Sequence, residues 1–274
     1  VYRYPLKNGV VDETAQPETI VTGLTFQRAH AAKSIALDDA GKLYVNFGAP
    51  SNACQERDRV KGSPAQNPCP LLDEYGGIWQ FDANRRNQRQ SDGTRYATGI
   101  RNAVALEWNP ATKQLYALQH GRDMLATLFP EMFNKQKVLA PEYGGDGKKA
   151  DRCADREQPI MAFPGHWAPN DLLFYTGNQF PARYKNGAFI CFHGSWNRAP
   201  LKQGGYFVAF VPFGKDGKPS GPYEPFAEGF AGGPEIMNPG DAVARPVGLA
   251  QGPDGSLYIT DSVKGKVWKV RYGK

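Results

Sequence analysis

The sequence predicts an all-β fold built from repeated four-stranded antiparallel sheets, and three observations predict it. Turn residues are in excess: 31 Gly and 22 Pro make up roughly a fifth of the 274 residues, against about 12% in an ordinary domain. With no collagen period, that excess marks many tight connections. A short strand phrase also recurs, as Gly41-Lys42-Leu43-Tyr44-Val45, Lys113-Gln114-Leu115-Tyr116-Ala117, Asn186-Gly187-Ala188-Phe189-Ile190 and Gly255-Ser256-Leu257-Tyr258-Ile259. Its aligned positions 43, 115, 189 and 257 are 72, 74 and 68 residues apart. Finally, no stretch approaches the ~18 uninterrupted apolar residues of a membrane helix. Four strands repeated every ~70 residues are the mark of a β-propeller.

Each repeat is read in chain order. An apolar first strand precedes the phrase: Ile35-Ala36-Leu37, Val104-Ala105-Leu106, Leu172-Leu173-Phe174 and Val247-Gly248-Leu249. A third strand follows three of the phrases, at 77–81, 206–210 and 266–270. Fourth strands ending in Gly are expected at 19–23, 95–99 and 224–229. The chain therefore reads as one propeller domain over 1–274. Residues 1–24 form the end of one blade, 25–100, 101–165 and 166–230 are full blades, and 231–274 are the last blade. The second repeat departs by a long insertion between His120 and Ile160, rich in Gly, Lys and Asp from Tyr143 to Asp155, of the kind that caps a site.

Charge and cysteines narrow the function. The net charge is +6, but 33 basic and 27 acidic residues are interspersed and no nucleic-acid module is visible, so nucleic acid is not expected as a partner. The densest basic run, Arg85 to Arg89, falls in a turn. Of the four cysteines, Cys54 and Cys69 share one polar, Pro-rich loop and are expected to form a disulfide, which implies an oxidising compartment, periplasmic or secreted. Cys153–Cys191 is the weaker pairing, because Cys191 lies inside an expected strand. The absence of C-x-x-C excludes a zinc ribbon.

Strand direction then sorts the polar residues. In an antiparallel blade, residues just before a first strand and just after a second emerge on the same face. That set holds His30, Arg101, Asn102, His120, Gly121, Arg122, His166, Ala168, His193, Arg198 and Arg245, including all four histidines of the chain. Converging guanidinium and imidazole groups suit a ligand with several carboxylates, and a near-neutral imidazole suits proton abstraction. The dinucleotide fingerprint, the phosphate-binding loop and the nucleophile elbow are all missing. His120, His166 and His193 share no close ligand spacing, which weighs against a transition metal.

The runs Gly99 to Asp123, His193 to Arg198, Gly204 to Phe213 and Ala244 to Ser262 resemble the pyrroloquinoline-quinone-dependent sugar dehydrogenases, in the sorbosone dehydrogenase branch related to soluble glucose dehydrogenase. The resemblance implies a six-bladed ring of which this chain holds a little over four blades. It implies an oxidoreductase on an aldose or related sugar, with pyrroloquinoline quinone and calcium as cofactors and an external electron acceptor such as a cytochrome. By the same resemblance His30 is the base and Arg101 the group that stabilises charge on the quinone. Arg101, Asn102, His120, Ala168, Arg198 and Arg245 contact the cofactor, and the carbonyls of Gly121 and Arg122 hold calcium. Two positions depart from the family: its supporting acid falls at Ala49, and a Gln falls at Val104. The alternative is a non-catalytic binding propeller of the same superfamily. A calcium-dependent lactonase ranks below both, because the face is poor in carboxylates. A partner copy, or else an exposed apolar flank, is expected where blades are missing.

Overall fold

The computed structural model describes residues 1–123 and 138–273. Near the N-terminus β1 (Tyr2–Arg3) pairs antiparallel with β4 (Glu18–Thr19), and between them β2 (Leu6–Lys7) and β3 (Val10–Val11) form a small hairpin. The first large sheet runs in chain order through β5 (Ile35–Leu37), β6 (Lys42–Phe47), β7 (Gly77–Asp82) and β8 (Thr94–Thr98). The next pairs β9 (Ala103–Asn109) with β10 (Gln114–Gln119), with a bulge at Leu118/Gln119. A second four-stranded sheet follows, from β11 (Pro169–Phe174), β12 (Ala188–Phe192), β13 (Phe207–Val211) and β14 (Glu224–Ala227). The last holds three strands, β15 (Pro246–Gln251), β16 (Leu257–Asp261) and β17 (Val267–Val270). Every strand pair within these sheets is antiparallel.

The first strands start where the repeat places them, and they lie beside one another in sequence order, β5 by β9, β9 by β11, β11 by β15. Sheets stack face to face because side chains alternate across each strand. On one face of the third sheet Ala188, Ile190, Phe192, Ala209 and Val211 pack toward Ala105 of β9. On its other face Phe189, Cys191, Val208 and Phe210 pack with Leu257 and Ile259 of β16. Covered on both faces, β12 and β13 read as unbroken apolar runs with every residue buried. Tyr44 and Ile78 meet Ala103 and Leu106 between the first two sheets. On the far side of the first sheet, Ile20 and Val21 cover Leu43, Val45, Phe47, Trp79 and Phe81.

Two expectations change. The full blade over 101–165 shows two strands among the described residues. Residues 138–165 carry short 3-10 turns at Pro141–Tyr143 and Asp151–Cys153 instead, and their backbone bonds go to each other and to the Cys54–Cys69 loop. The fourth strand expected at 19–23 ends at Thr19, after which Ile20 to Thr22 run alongside Asn87 and Gln88 in a parallel bridge. Cys54 and Cys69 form a disulfide, whereas Cys153 and Cys191 are free thiols, Cys191 being sealed inside β12. The basic run at 85–89 is locally neutralised, with Arg85 on Asp92 and Arg86 on Glu18. Ile35 and Leu37 of the first sheet and Val267 of the last are exposed.

Candidate functional site

His30 stands before β5, and its backbone is left-handed (φ 52°). His166 and Ala168 share that conformation (φ 66° and 54°). For a residue with a Cβ this costs about 1–2 kcal/mol, and such strain gathers where geometry serves a ligand. The buried Gln27 amide holds His30 in place by donating to the carbonyls of His30 (3.0 Å) and Gly48. The His30 Nδ1 lies 2.5 Å from the Ala49 carbonyl. A carbonyl only accepts, so Nδ1 carries the proton and Nε2 is left as the basic atom. A backbone oxygen thus fills the orienting role at the position where the resembling family has an acid. Asn102 closes in from the other side of Gly48, where a Cβ would come within 2.6 Å of His30 and 3.0 Å of Asn102 Oδ1. Burial, reinforced by the nearby Arg101 and Arg59 charges, lowers the His30 pKa, while the Ala49 bond and Asp123 oppose that shift.

Arg101 precedes β9, and its side chain is only 11% exposed. Its Nη1 donates to the Gly121 carbonyl (2.9 Å) and its Nη2 to Asp123 Oδ2 (3.0 Å). The same carboxylate oxygen accepts from Arg59 Nη2 at 3.0 Å. Arg122 turns its guanidinium onto Glu142 in a two-pronged pair. Arg101 Nε and Asn102 Oδ1 are buried without a partner among the described residues. A buried donor and a buried acceptor without partners, on consecutive residues, suit a polar ligand bearing both carbonyl oxygens and an N–H, as pyrroloquinoline quinone does.

The remaining histidines continue round the same face. His120 Nε2 bonds the Pro169 carbonyl at 2.9 Å, and His193 Nε2 bonds Ser262 Oγ at 2.8 Å. Arg245 donates to the carbonyls of His193 (3.1 Å) and Gly194 (2.7 Å) and lies over the Tyr206 ring. His120 feels the charges of Arg101 and His30, and His193 those of Arg245 and His120, so these groups form one continuous series. Burial lowers all four imidazole pKa values, and His193 falls to about 4 with help from Arg245. Ala168 contributes its carbonyl to the His193 backbone N–H. Arg198 lies farther out, against Gly204 and the Trp167 indole, and acts on His166 through its charge.

His30 and Asn102 both lie against Gly48, Arg101 reaches the His120 carbonyl, and Arg245 sits on the His193 carbonyl. One cavity of about 490 Å³ is lined by Gln203, Tyr206, Glu228 and Ile236, and another of about 560 Å³ by Arg156, Ile160 and Lys218; none of His30, Arg101, Asn102, His120 and Arg245 is in either wall. The Gly121 carbonyl, expected to hold calcium together with that of Arg122, accepts one guanidinium N–H from Arg101 and keeps its second lone pair. Sequence reading missed Arg59 and the Ala49 carbonyl as parts of the site, and it gave Asp123 no role. It also missed two half-buried acids on the first strands of their sheets, Glu107 of β9 and Asp171 of β11. Burial raises both, and with the added effect of Asp171 the Glu107 pKa reaches about 7.

The glucose/sorbosone dehydrogenase family model matches residues 6–192, and a TrAA12-like model matches 131–273. A Borreliella burgdorferi protein of uncharacterised function is 29% identical over 260 residues, 89% of this chain and 61% of that protein. A pyrroloquinoline quinone-dependent pyranose dehydrogenase of Coprinopsis cinerea is 30% identical over 131 residues, 43% of this chain and 17% of its own. The chain thus spans about three fifths or less of these relatives. Among solved structures, a Trichoderma reesei carbohydrate-active enzyme of family AA12 superposes with a TM-score of 0.72 at 20% identity, covering 97% of this chain and 74% of that one. The soluble aldose sugar dehydrogenase of Escherichia coli superposes at 0.51 and 18% identity, covering 86% and 62%.

Proposed function

Because the chain belongs to the glucose/sorbosone dehydrogenase family, we propose that it is a quinoprotein sugar dehydrogenase that binds pyrroloquinoline quinone on its histidine face. The observation that carries this reading is a base with a fixed tautomer, His30, packed with Asn102 against Gly48, together with the buried and unpartnered Arg101 Nε and Asn102 Oδ1. Arg101, Asn102, His120 and Arg245 would hold the quinone, with Ala168 and Arg198 at its margin. When bound, the quinone accepts a hydride from the sugar carbon that bears the hydroxyl. His30 Nε2 takes the hydroxyl proton, because Nδ1 is engaged by Ala49. Arg101 presents positive charge where negative charge develops, and its burial strengthens that effect. No step is routed through calcium. In this reading the sheets belong to a six-bladed ring, the disulfide marks a periplasmic or secreted protein, and electrons leave to an external acceptor such as a cytochrome.

The experiment is a titration of the purified chain with pyrroloquinoline quinone, followed by tryptophan quenching, then addition of a panel of aldoses with a dye acceptor. Saturable binding and sugar-dependent dye reduction are expected. His30→Ala should keep the affinity within about threefold while turnover falls by ~10²–10⁴. Absence of saturable quinone binding would overturn the reading in favour of a binding propeller.

A further inference from the structure

We propose that Asp123 and Arg59 are positioning residues, a brace through which the Cys54–Cys69 loop aims the Arg101 guanidinium at the face occupied by His30. The inference rests on the quinone reading for what Arg101 does, but the brace itself stands on geometry. Arg101 is flanked by two backbone carbonyls, of His120 and Gly121, and by one anion, Asp123. Asp123 is only 17% exposed, and both its ends are committed. Its backbone N–H donates to Asn52 Oδ1 (2.8 Å) while its carbonyl accepts from Asn52 Nδ2 (3.3 Å). Its carboxylate oxygen accepts 3.0 Å bonds from Arg101 and from Arg59.

Arg59 lies inside the disulfide loop and is itself fixed. Asp58 pairs with it, and its left-handed backbone (φ 59°) donates to the side chain of buried Gln55 at 3.0 Å. Gln55 in turn donates to the carbonyls of Val60 and Ser63. From Gln55, the residue after Cys54, the path to the site runs through Arg59 and ends in one carboxylate shared by two guanidinium groups. Charge-assisted bonds of this kind are directional and fix orientation as well as distance. A guanidinium displaced by about 1 Å costs on the order of 10²-fold in rate. No residue close in sequence to Arg101 supplies that anion, and Arg59 enters from a different repeat.

The test compares wild type, Asp123→Asn, Arg59→Ala, Arg59→Lys and the Asp123→Asn/Arg59→Ala double variant. Asp123→Asn keeps the shape and one acceptor, so it guards against simple misfolding. Unchanged thermal midpoints within a few degrees establish that each variant is folded. The first readout is rotation of the Arg101 guanidinium, by nitrogen-15 NMR of the chain without quinone. Rotation should speed up about tenfold or more in Asp123→Asn and about threefold in Arg59→Ala, with Arg59→Lys restoring part. The second readout is turnover with quinone, where kcat should fall about tenfold or more with KM for sugar within about threefold. The double variant should match Asp123→Asn alone, since both act through one carboxylate. Rotation within twofold of wild type in both single variants, or effects that multiply in the double variant, overturns the brace. If rotation responds as stated but no form, wild type included, binds quinone, the brace stands and the dehydrogenase reading falls.

Discussion

Gly48→Ala should move His30 with little change to the rest of the fold. A Cβ at residue 48 would stand 2.6 Å from the His30 Cβ and carbonyl oxygen and 3.0 Å from Asn102 Oδ1, whereas ordinary contact begins at 3.4 Å. Something must therefore give by about 0.8 Å, and two of the three atoms are at or next to backbone. His30 cannot retreat freely, because Gln27 and Ala49 hold it on both sides. Overpacking of this kind costs about 1–3 kcal/mol, or roughly 2–4 °C of thermal midpoint per kcal/mol in a chain of this size. The effect on turnover should be larger, on the order of 10²-fold, because a displaced base no longer meets the hydroxyl proton. The assay pairs a melting curve with the His30 imidazole resonances and sugar-dependent dye reduction. Gly233→Ala is the control, since a Cβ there meets nothing within 4 Å. A Gly48→Ala protein whose midpoint, His30 shifts and turnover all equal those of Gly233→Ala would refute the packing argument.

Other outcomes follow from the same contacts. His193 has a folded pKa of about 4 against 6.5 for a free imidazole, so the native state binds fewer protons and its contribution is lost as pH falls from 6.5 toward 4. Discounted for its partial exposure, the loss is about 1–2 kcal/mol, and His193→Gln should flatten the decline in urea midpoint between pH 7 and pH 4.5; an unchanged slope counts against it. Glu107 has the opposite sign: with a folded pKa of about 7 against 4.5, its native form holds a proton, and stability is lost as pH rises from 4.5 through 7. Glu107→Gln should then stabilise the protein at pH 8 relative to pH 4.5 by about 1–2 kcal/mol, and equal effects at both values would show that Glu107 is not protonated in the fold. Removing the disulfide with Cys54→Ser and Cys69→Ser opens a loop of sequence separation 15 and should cost up to about 3 kcal/mol, read as a lower denaturant midpoint; no shift would mean that the unfolded chain gains nothing from release.

Local chemistry was written along the chain. The recurring Gly-Lys-Leu-Tyr-Val phrase, its apolar forerunner and the Asp-Gly turns determined strands and hairpins, because period-two alternation and left-handed glycines act within a few residues. Strand direction then led to the expectation that His30, Arg101, Asn102, His120 and Arg245 gather on one face, by counting along antiparallel strands. The disulfide partner of Cys54 was legible too, lying in the same short polar loop. Which groups touch across sheets was decided by tertiary structure alone. Arg59 meets Asp123 across 64 residues, and Arg101 turns its fork to Gly121 and Asp123. His30 takes its orienting oxygen from the Ala49 backbone, which carries no side-chain signal in a sequence. Glu107 and Asp171 become neighbours because β9 and β11 stack side by side, so the Asp171 carboxylate adds to the cost of ionising Glu107. Pairings of this range depend on how sheets pack rather than on local preference, and only the folded chain brings such distant groups within a few ångströms of one another.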